Sequence, residues 1–304
     1  MIWHKCGLVY RPSGERWWAR QYATIPTVEA LDDRTLRVYF AALDERNYGR
    51  IGFVDLDARD PRRILAESPE PVLDLGEPGT FDDCGVNASC AITVGDQCFL
   101  YYIGWQRCER VPYMLFSGLA TSTDRKSFRR ASRVPVLDRT AEEPFSRSAP
   151  FVMPVEDGFR MWYWSCLHWS QGRNGLHYNN VIRHAFSTDG IHWQSTNEAC
   201  LQPEWPQEYS LGRPWVLRDG GIYRMWFSVR SEDRPYRFGY AESDDGYEWV
   251  RKDSEVGIYR SESGWDSEMV CYPCVVDLGG RRYLFYNGNR HGATGFGCAI
   301  FEQD

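Results

Sequence analysis

The fold of this chain is decided by the segment GWDSEMVCYP at residues 264–273, which leads into an apolar strand. An aromatic residue and an aspartate stand near its start, Trp265 and Asp266, and Pro273 begins the strand. A second copy, TFDDCGVNAS, covers residues 80–89. Shorter versions of this opening segment cover residues 22–26, 145–150 and 209–214.

The same succession of strands follows every opening segment. An apolar strand is followed by an aromatic strand, a variable loop and a strand that contains Gly or Ala, and a tight Asp-rich turn leads to a fourth strand. The first strands begin at residues 26, 89, 150, 214 and 273, so the intervals are 63, 61, 64 and 59 residues. This regularity predicts an all-β fold, a five-bladed β-propeller with four-stranded blades. The alternative is a β-sandwich, which would not require the shared order of the five units.

The fifth unit ends after its third strand, at the end of the 304-residue sequence. Residues 2–10 precede the first unit and have the alternation of a strand. We therefore expect this N-terminal strand to close the last blade, which would leave no exposed sheet edge there. Residues 1–304 contain no linker or low-complexity tract, so a single propeller domain is predicted.

The bulk composition excludes several classes of protein. A net charge of -7 is unlike that of a general nucleic-acid binder. The N-terminus has no apolar signal segment, and no run of 18 apolar residues could span a membrane. The ten cysteines are scattered, which is typical of a cytoplasmic protein with reduced thiols. Cys271 and Cys274 form a lone CxxC pair without a second pair, so we predict no metal and no cofactor.

The opening segments of a propeller converge on its axis, so they are the candidate site. Asp82 and Asp266 occupy the same position in two units, and a repeated residue suggests a structural task. Asp83 and Glu268 are not repeated, and we predict that they act as acid and as base or nucleophile, with Glu143 in reserve. Two carboxylates across a cleft are the minimum for glycoside hydrolysis.

Other residues of the opening segments and of the variable loops could bind a substrate. Arg147 and Arg213 could hold a carboxylate or phosphate with a bidentate fork, or they could pair with a neighbouring acid. Tyr272 would orient the substrate. The remaining predicted binding residues come from the variable loops that wall the funnel, including residues 167–180, although such loops can also be merely solvated: Trp105, His168, Asn289 and His291.

The segments AFSTDGIHW at residues 185–193 and AESDDGYEW at residues 241–249, together with the aromatic-Asp-x-x-x-Val opening, resemble the five-bladed propellers of glycoside hydrolase families 43, 32, 68 and 130. The resemblance covers the whole chain at the level of repeats. The chain looks closest to propellers that accompany sugar and surface-polysaccharide biosynthesis genes, and it is similar to the propeller domain joined to some glycosyltransferases.

The acidic motifs of family 43 do not carry over to this chain. That family places an Asp before the first-blade strand, Arg-Asp-Pro in the second blade and Glu-Gly-Pro in the third. Here the corresponding residues 24–26, 87–89 and 148–150 read TIP, NAS and SAP.

Three hypotheses of function follow from the resemblance and these departures. The first is a carbohydrate-active enzyme, a glycoside hydrolase or a phosphorylase-like relative, that acts on a small sugar conjugate. The second is a non-catalytic sugar or nucleotide-sugar binding propeller that works beside a glycosyltransferase. The third is a biosynthetic enzyme that uses the funnel for other chemistry.

Overall fold

The computed structural model describes residues 1–173 and 175–302, and nearly all regular structure within them is β-strand. The predicted all-β class is therefore confirmed. Twenty strands in these ranges pair into five antiparallel groups of four. None of the helices in the described ranges has the length and apolar character needed to cross a membrane.

Each group consists of consecutive strands, with one exception at the N-terminus. Strand β1 (Trp3–Tyr10) comes first in the chain and belongs to the fifth group. The first group contains β2 (Gln21–Asp32), β3 (Thr35–Leu43), β4 (Gly49–Asp57) and β5 (Asp60–Glu67). The second contains β6 (Val86–Val94), β7 (Gln97–Arg107), β8 (Tyr113–Ser122) and β9 (Arg129–Arg130). The third contains β10 (Arg147–Val155), β11 (Gly158–Gly172), β12 (Gly175–Ser187) and β13 (Gln194–Leu201). The fourth contains β14 (Glu208–Asp219), β15 (Ile222–Ser231), β16 (Arg237–Ser243) and β17 (Val250–Arg251). The fifth contains β18 (Cys271–Leu278), β19 (Arg281–Asn287), β20 (Phe296–Phe301) and β1, and a single helical turn, α1 (Asn289–Gly292), lies between β19 and β20.

The first strands of the five groups contact one another in chain order. Strand β2 contacts β6, β6 contacts β10, β10 contacts β14, β14 contacts β18, and β18 contacts β2 again. The core lies between neighbouring groups, where Trp162 and Trp226 of the second strands are fully buried. Second strands read as continuous apolar runs because both of their faces are covered.

The N-terminal strand closes the last group, as the sequence predicts. Strand β1 pairs antiparallel with β20, and Trp3 lies opposite Phe301 in that register. The Trp3 indole also donates a hydrogen bond to the carbonyl of Val256 at 3.0 Å, which ties the strand to the fourth group. The free edge of β20 is thereby covered.

The prediction of a variable loop at residues 167–180 is wrong, because residues 167–172 and 175–180 lie in the two paired strands of a long hairpin. Strand β11 continues to Gly172 and β12 begins at Gly175, with a register shift between Cys166 and His168. The alternation of polar and aromatic residues after Leu167 suits a twisted two-stranded extension. Tyr178 of this hairpin lines a cavity on the axis.

A strained residue precedes the proline in four of the five first strands. Ile25, Ala149, Arg213 and Tyr272 have φ values of 55°, 49°, 52° and 59°, and the next residue in each case is proline. The ladder to the second strand shifts register at each of these positions. Left-handed backbone is rare for residues other than Gly. The bulge turns all four side chains into a cavity on the axis.

Replacing Ala149 with Gly should raise the free energy of unfolding by about 1 kcal/mol, because Gly adopts left-handed backbone without the steric cost of a Cβ. Ala88 is the matched control, since it occupies the equivalent position of the second group but lacks the positive φ. Ala88→Gly should lower stability by about 1 kcal/mol. Urea unfolding of both variants measures the two changes. Destabilisation by both substitutions to a similar degree would contradict a strained bulge at Ala149.

Candidate functional site

An aromatic cavity lies where the first strands converge. It has a volume of about 430 Å³ and opens from the axis towards the first and second groups, where Thr24 and Asn87 line it. A smaller cavity of about 60 Å³ lies on the axis, and the two share Ile25, Trp105 and Tyr272 among their lining residues. We call the two together the axial pocket. Mostly apolar walls with a few convergent polar groups are typical of small-molecule sites.

Tyrosines supply most of the hydroxyl groups of the axial pocket. Tyr113 and Tyr178 come from β8 and β12, and their ring centroids lie 6.0 Å apart. Tyr236 and Tyr272 also line it, again with centroids 6.0 Å apart. Burial raises the pKa of Tyr113, Tyr236 and Tyr272. These phenols therefore stay protonated and can donate hydrogen bonds at neutral pH.

The charged groups that line the axial pocket are arginines. Arg107 stands exposed at the rim, and Arg230 lies deeper beside His291. Burial, and then the charge of Arg230, lower the pKa of His291 to about 4, so His291 is neutral at pH 7. Among the residues that the structure describes, no Asp or Glu lines either cavity. The pocket is thus locally positive in a chain of net charge -7.

Several polar atoms at the pocket wall are buried and lack a partner within the described protein. They are Nε1 of Trp105, Nε of Arg213 and of Arg230, and Oδ1 of Asn180. Buried polar groups in native proteins are nearly always hydrogen-bonded. A cluster of such unpaired atoms on the axis therefore indicates a site for a polar ligand.

Arg213 crosses the axis and binds backbone carbonyls. Its guanidinium donates to the carbonyl of Ser89 at 2.6 Å, to that of Pro26 at 3.2 Å and to Oγ1 of Thr27 at 3.0 Å. It thereby joins the first strands of three groups, and burial lowers its pKa. The prediction that Arg213 binds substrate stays untested, while its contacts give it a structural role at the floor of the pocket.

Acids of the opening segments form buried clamps within their own groups. Asp82 accepts from Tyr102 at 2.9 Å and from Arg130 of the fourth strand at 2.7 Å. Asp266 repeats this arrangement, with Tyr286 at 2.9 Å and Lys5 of β1 at 2.6 Å. The structural task expected from their repetition therefore agrees with the contacts, although each acid binds a cation and a phenol rather than capping a turn.

Glu143 is the corresponding acid of the third group. Its carboxylate contacts Arg147 at 2.9 Å and Arg183 at 3.4 Å, and it accepts from Tyr163 at 2.9 Å and Ser165 at 2.6 Å. The alternative role foreseen for Arg147, pairing with a neighbouring acid, is the one that the structure shows. Catalysis by Glu143 stays a prediction, but the residue lies outside the lining of the axial pocket.

The clamp extends to the other two groups with different residues. Glu208 of the fourth group binds Arg237 and Arg251, and Arg251 lies on the fourth strand. In the first group the polarity is reversed, since Arg16, which precedes the opening segment, pairs with Glu67 of β5 at 2.5 Å. In four groups the ion pair contains a buried acid, whereas the pair of the first group is partly exposed.

The other two predicted acids lie near the rim but do not line the axial pocket. Asp83 accepts a hydrogen bond from the amide of Gly79 at 2.8 Å, its Oδ1 is buried without a described partner, and the next residue, Cys84, lines the cavity. Glu268 is exposed, and its amide donates to Oδ1 of Asn289 at 2.7 Å. The structure therefore brings neither carboxylate into the cavity itself.

The predicted binding residues separate into two sets. Trp105, Tyr272 and His291 line the axial pocket. His168 is exposed on the long hairpin, and Asn289 is buried, where it binds Glu268 and the carbonyl of Gly264. These two side chains lie outside the cavity lining.

Sequence reasoning missed Arg230, Tyr113 and Tyr178. Arg230 ends the apolar second strand of the fourth group, at the start of a loop that was recognised as part of the funnel wall. Tyr178 was assigned to a loop, whereas the long hairpin places its ring in the pocket. An arginine at the end of an apolar strand, without an acid directly beside it in sequence, is the signal that could have pointed to this position.

Metal binding has no support in the described ranges. No cluster of three or more His, Cys, Asp or Glu side chains there has a geometry that could hold a metal ion. Buried acids are already paired with cations in the clamps.

Comparison with known proteins gives a family and a fold. No family model matches the chain. Uncharacterized protein Rv1502 of Mycobacterium tuberculosis (strain ATCC 25618 / H37Rv) is 39% identical over 303 residues, which cover 100% of both chains. Uncharacterized protein MT1551 of strain CDC 1551 / Oshkosh is 39% identical over the same extent. This chain belongs to the same protein family as these two mycobacterial proteins.

Solved structures with the same fold are glycoside hydrolase-like propellers. A glycosyl hydrolase from Bacteroides ovatus has a TM-score of 0.73 and 14% identity, and the match covers 99% of this chain and 93% of the other. A thermostable family-43 glycoside hydrolase has a TM-score of 0.69 and 15% identity over 93% and 91% of the two chains. A structure from the GH130 family of mannoside phosphorylases, which contains glycoside hydrolases that target beta-1,2 mannosidic linkages in Candida mannan, has a TM-score of 0.70 and 15% identity over 99% and 93%. These structures therefore confirm the predicted resemblance in fold.

Replacing Glu143 with Gln should lower the free energy of unfolding by about 3 kcal/mol, because the two arginines of a buried clamp would lose their counter-charge. Glu142→Gln is the matched control, since Glu142 is the adjacent, exposed acid and should change stability by less than about 0.5 kcal/mol. Chemical unfolding measures both. A Glu143→Gln variant that is as stable as the control would contradict the structural clamp and return Glu143 to the list of functional acids.

Proposed function

We propose that the five four-stranded groups are the blades of one five-bladed propeller that forms a single domain. The order of contacts among the first strands, with β18 returning to β2, supports a closed ring. The pairing of β1 with β20 supports closure of the last blade by the N-terminal strand. In such a ring the first strands surround the axis, and their opening segments meet at one mouth.

The function that this geometry supports best is binding of a small sugar conjugate in the axial pocket by a carbohydrate-active protein. The observation that carries it is the pocket itself: aromatic faces of Trp105 and Tyr272 stand beside hydroxyl, amide and guanidinium donors. Such walls can cover the apolar face of a sugar ring and bind its hydroxyl groups. Glycoside hydrolases and relatives of mannoside phosphorylases with the same fold support a carbohydrate as the ligand class.

Turnover by paired carboxylates is the second candidate function. It is favoured by Asp83, whose Oδ1 is buried without a described partner next to the pocket-lining residue Cys84. It is disfavoured by the distribution of the other acids. Glu143 is enclosed in its clamp, and Glu268 is exposed outside the cavity. A glycosidase of this kind would need Asp83 and a partner acid to approach the bound sugar.

Binding should be tested by isothermal titration with a panel of monosaccharides, sugar phosphates and nucleotide sugars. Trp105→Ala should weaken the best ligand about tenfold or more, since it removes an aromatic face of the pocket. Trp17→Ala is the control, because Trp17 is exposed and lies outside the cavity lining. Equal loss of affinity in both variants, or no binding by any member of the panel, would contradict the proposal.

Mass spectrometry of the same mixtures, with and without phosphate, separates binding from turnover. The binding proposal expects unchanged ligand masses. A new product that disappears in Asp83→Asn, while that variant still binds ligand, would establish the second candidate instead. Phosphate dependence of such a product would distinguish phosphorolysis from hydrolysis.

A further inference from the structure

Arg230 is an arginine without a counter-charge in the wall of the axial pocket. Within the described part of the chain it takes part in no ion pair, and its Nε is buried without a hydrogen-bond partner. The arginines of the clamps differ, because Arg147, Arg183 and Arg251 each contact a carboxylate. An unpaired guanidinium in a partly buried site is costly unless another anion can bind it.

Aromatic rings hold this guanidinium in place. Its central carbon lies 4.8 Å from the ring centroid of Tyr178, 5.3 Å from that of Tyr209 and 4.9 Å from that of Tyr236. Cation–π contacts of this kind fix the plane of an arginine while leaving its N–H groups available. The side chain is therefore positioned before any ligand arrives.

The acid nearest to Arg230 in sequence, Glu232, pairs with a different residue. Glu232 binds Nδ1 of His177 at 3.0 Å, and the ring of His177 stacks on Tyr209 with centroids 4.3 Å apart. Tyr209 contributes one of the faces that Arg230 contacts. The pair of His177 and Glu232 thus supports the aromatic wall without neutralising Arg230.

The other lining residues near Arg230 favour binding of a negatively charged group as well, because they supply hydrogen-bond donors and no negative charge. Tyr113, Tyr178, Tyr236 and Tyr272 carry hydroxyl donors, and His291 is the one titratable base among them. No carboxylate of the described residues lines the cavity to repel an anion. Convergent N–H and O–H donors around a fixed guanidinium match the oxygens of a carboxylate or phosphate.

We propose that Arg230, framed by Tyr178, Tyr209 and Tyr236, is an anion-recognition residue, and that the ligand of the axial pocket is an acidic sugar conjugate. The negative group, a carboxylate or a phosphate, binds the guanidinium, and the sugar ring extends past Trp105 towards the rim, where Arg107 supplies a second positive charge. This inference rests on the proposed carbohydrate function of the pocket and names the chemical class of its ligand.

The test compares glucose, glucuronic acid and glucose 1-phosphate by isothermal titration at one fixed ionic strength. We expect at least one of the two acids to bind about tenfold or more tightly than glucose. The stronger of the two identifies the source of the negative charge as carboxylate or phosphate. Arg230→Gln should abolish the preference, so that the acid and glucose bind this variant with similar affinity.

Arg218→Gln is the matched control for the loss of one positive charge. Arg218 also lies over a tyrosine ring, 5.2 Å from the centroid of Tyr223, but it is exposed and outside the pocket. This variant should keep the full preference for the acid. Arg230→Lys keeps the charge and loses the planar fork, so it should bind the acid more weakly than the native protein but more tightly than Arg230→Gln. It also provides the measurement if Arg230→Gln fails to fold.

Inorganic phosphate and acetate distinguish failure of this inference from failure of the carbohydrate proposal. If these small anions bind in an Arg230-dependent way but no sugar binds, the anion site stands and the carbohydrate function is overturned. If glucose and both acids bind equally well to the native protein, the carbohydrate function stands and the role of Arg230 is overturned. Absence of binding by every acid and anion up to millimolar concentration overturns the inference as well.

Discussion

The left-handed backbone before the proline of an innermost strand is the constraint on which the site depends. At four of the five first strands this bulge turns one side chain out of the sheet and towards the axis. Each of these residues would occupy ordinary extended backbone at lower cost, by on the order of 1 kcal/mol. As a result, four side chains line the cavity on the axis: those of Ile25, Ala149, Arg213 and Tyr272. Arg213 ties three strands together, and Tyr272 forms part of the pocket wall.

A second constraint decides where negative charge can lie. In four of the five groups a buried acid in or just before the opening segment pairs with a basic residue of the same group: Asp82, Glu143, Glu208 and Asp266. The carboxylates of these acids are already bound by neighbouring cations and phenols. Removing a partner from such a pair leaves a buried charge, so the arrangement is hard to alter for another purpose. The axis is consequently left to aromatic rings and donors, and Arg230 can remain unpaired there.

The repeats allowed much of the architecture to be predicted, because a regular interval of about 60 residues constrains the whole chain. The closure by β1 followed from counting strands, and the pairing with Phe301 bears it out. The site was harder to predict than the architecture. Glu143 and Arg147 are four residues apart in sequence, but their clamp also depends on Tyr163 and Arg183 of other strands. An acid of an opening segment can point into its own four-stranded group, and the direction depends on bulges that periodicity does not show.

The prolines at the strand starts indicate where the bulges lie, whereas the search for repeats used them only to align the units. Pro26, Pro150, Pro214 and Pro273 mark the bulges, and the residue before each of them is the one that reaches the axial cavity. Arg213 and Tyr272 were selected for their chemistry, and both line the axial pocket, while their roles in binding a substrate stay predictions. Arg230 was not selected, because its significance comes from three tyrosines of β12, β14 and the end of the β15–β16 loop rather than from its own neighbours in sequence.

The most direct test of this account is a crystal structure of the protein with glucuronic acid or glucose 1-phosphate. The account predicts a ligand in the axial pocket, with an oxygen of its negative group within hydrogen-bond distance of the Arg230 guanidinium and the sugar ring beside Trp105. A sugar held by Asp83 and Glu268 outside the cavity lining, or a negative group pointing away from Arg230, would contradict it.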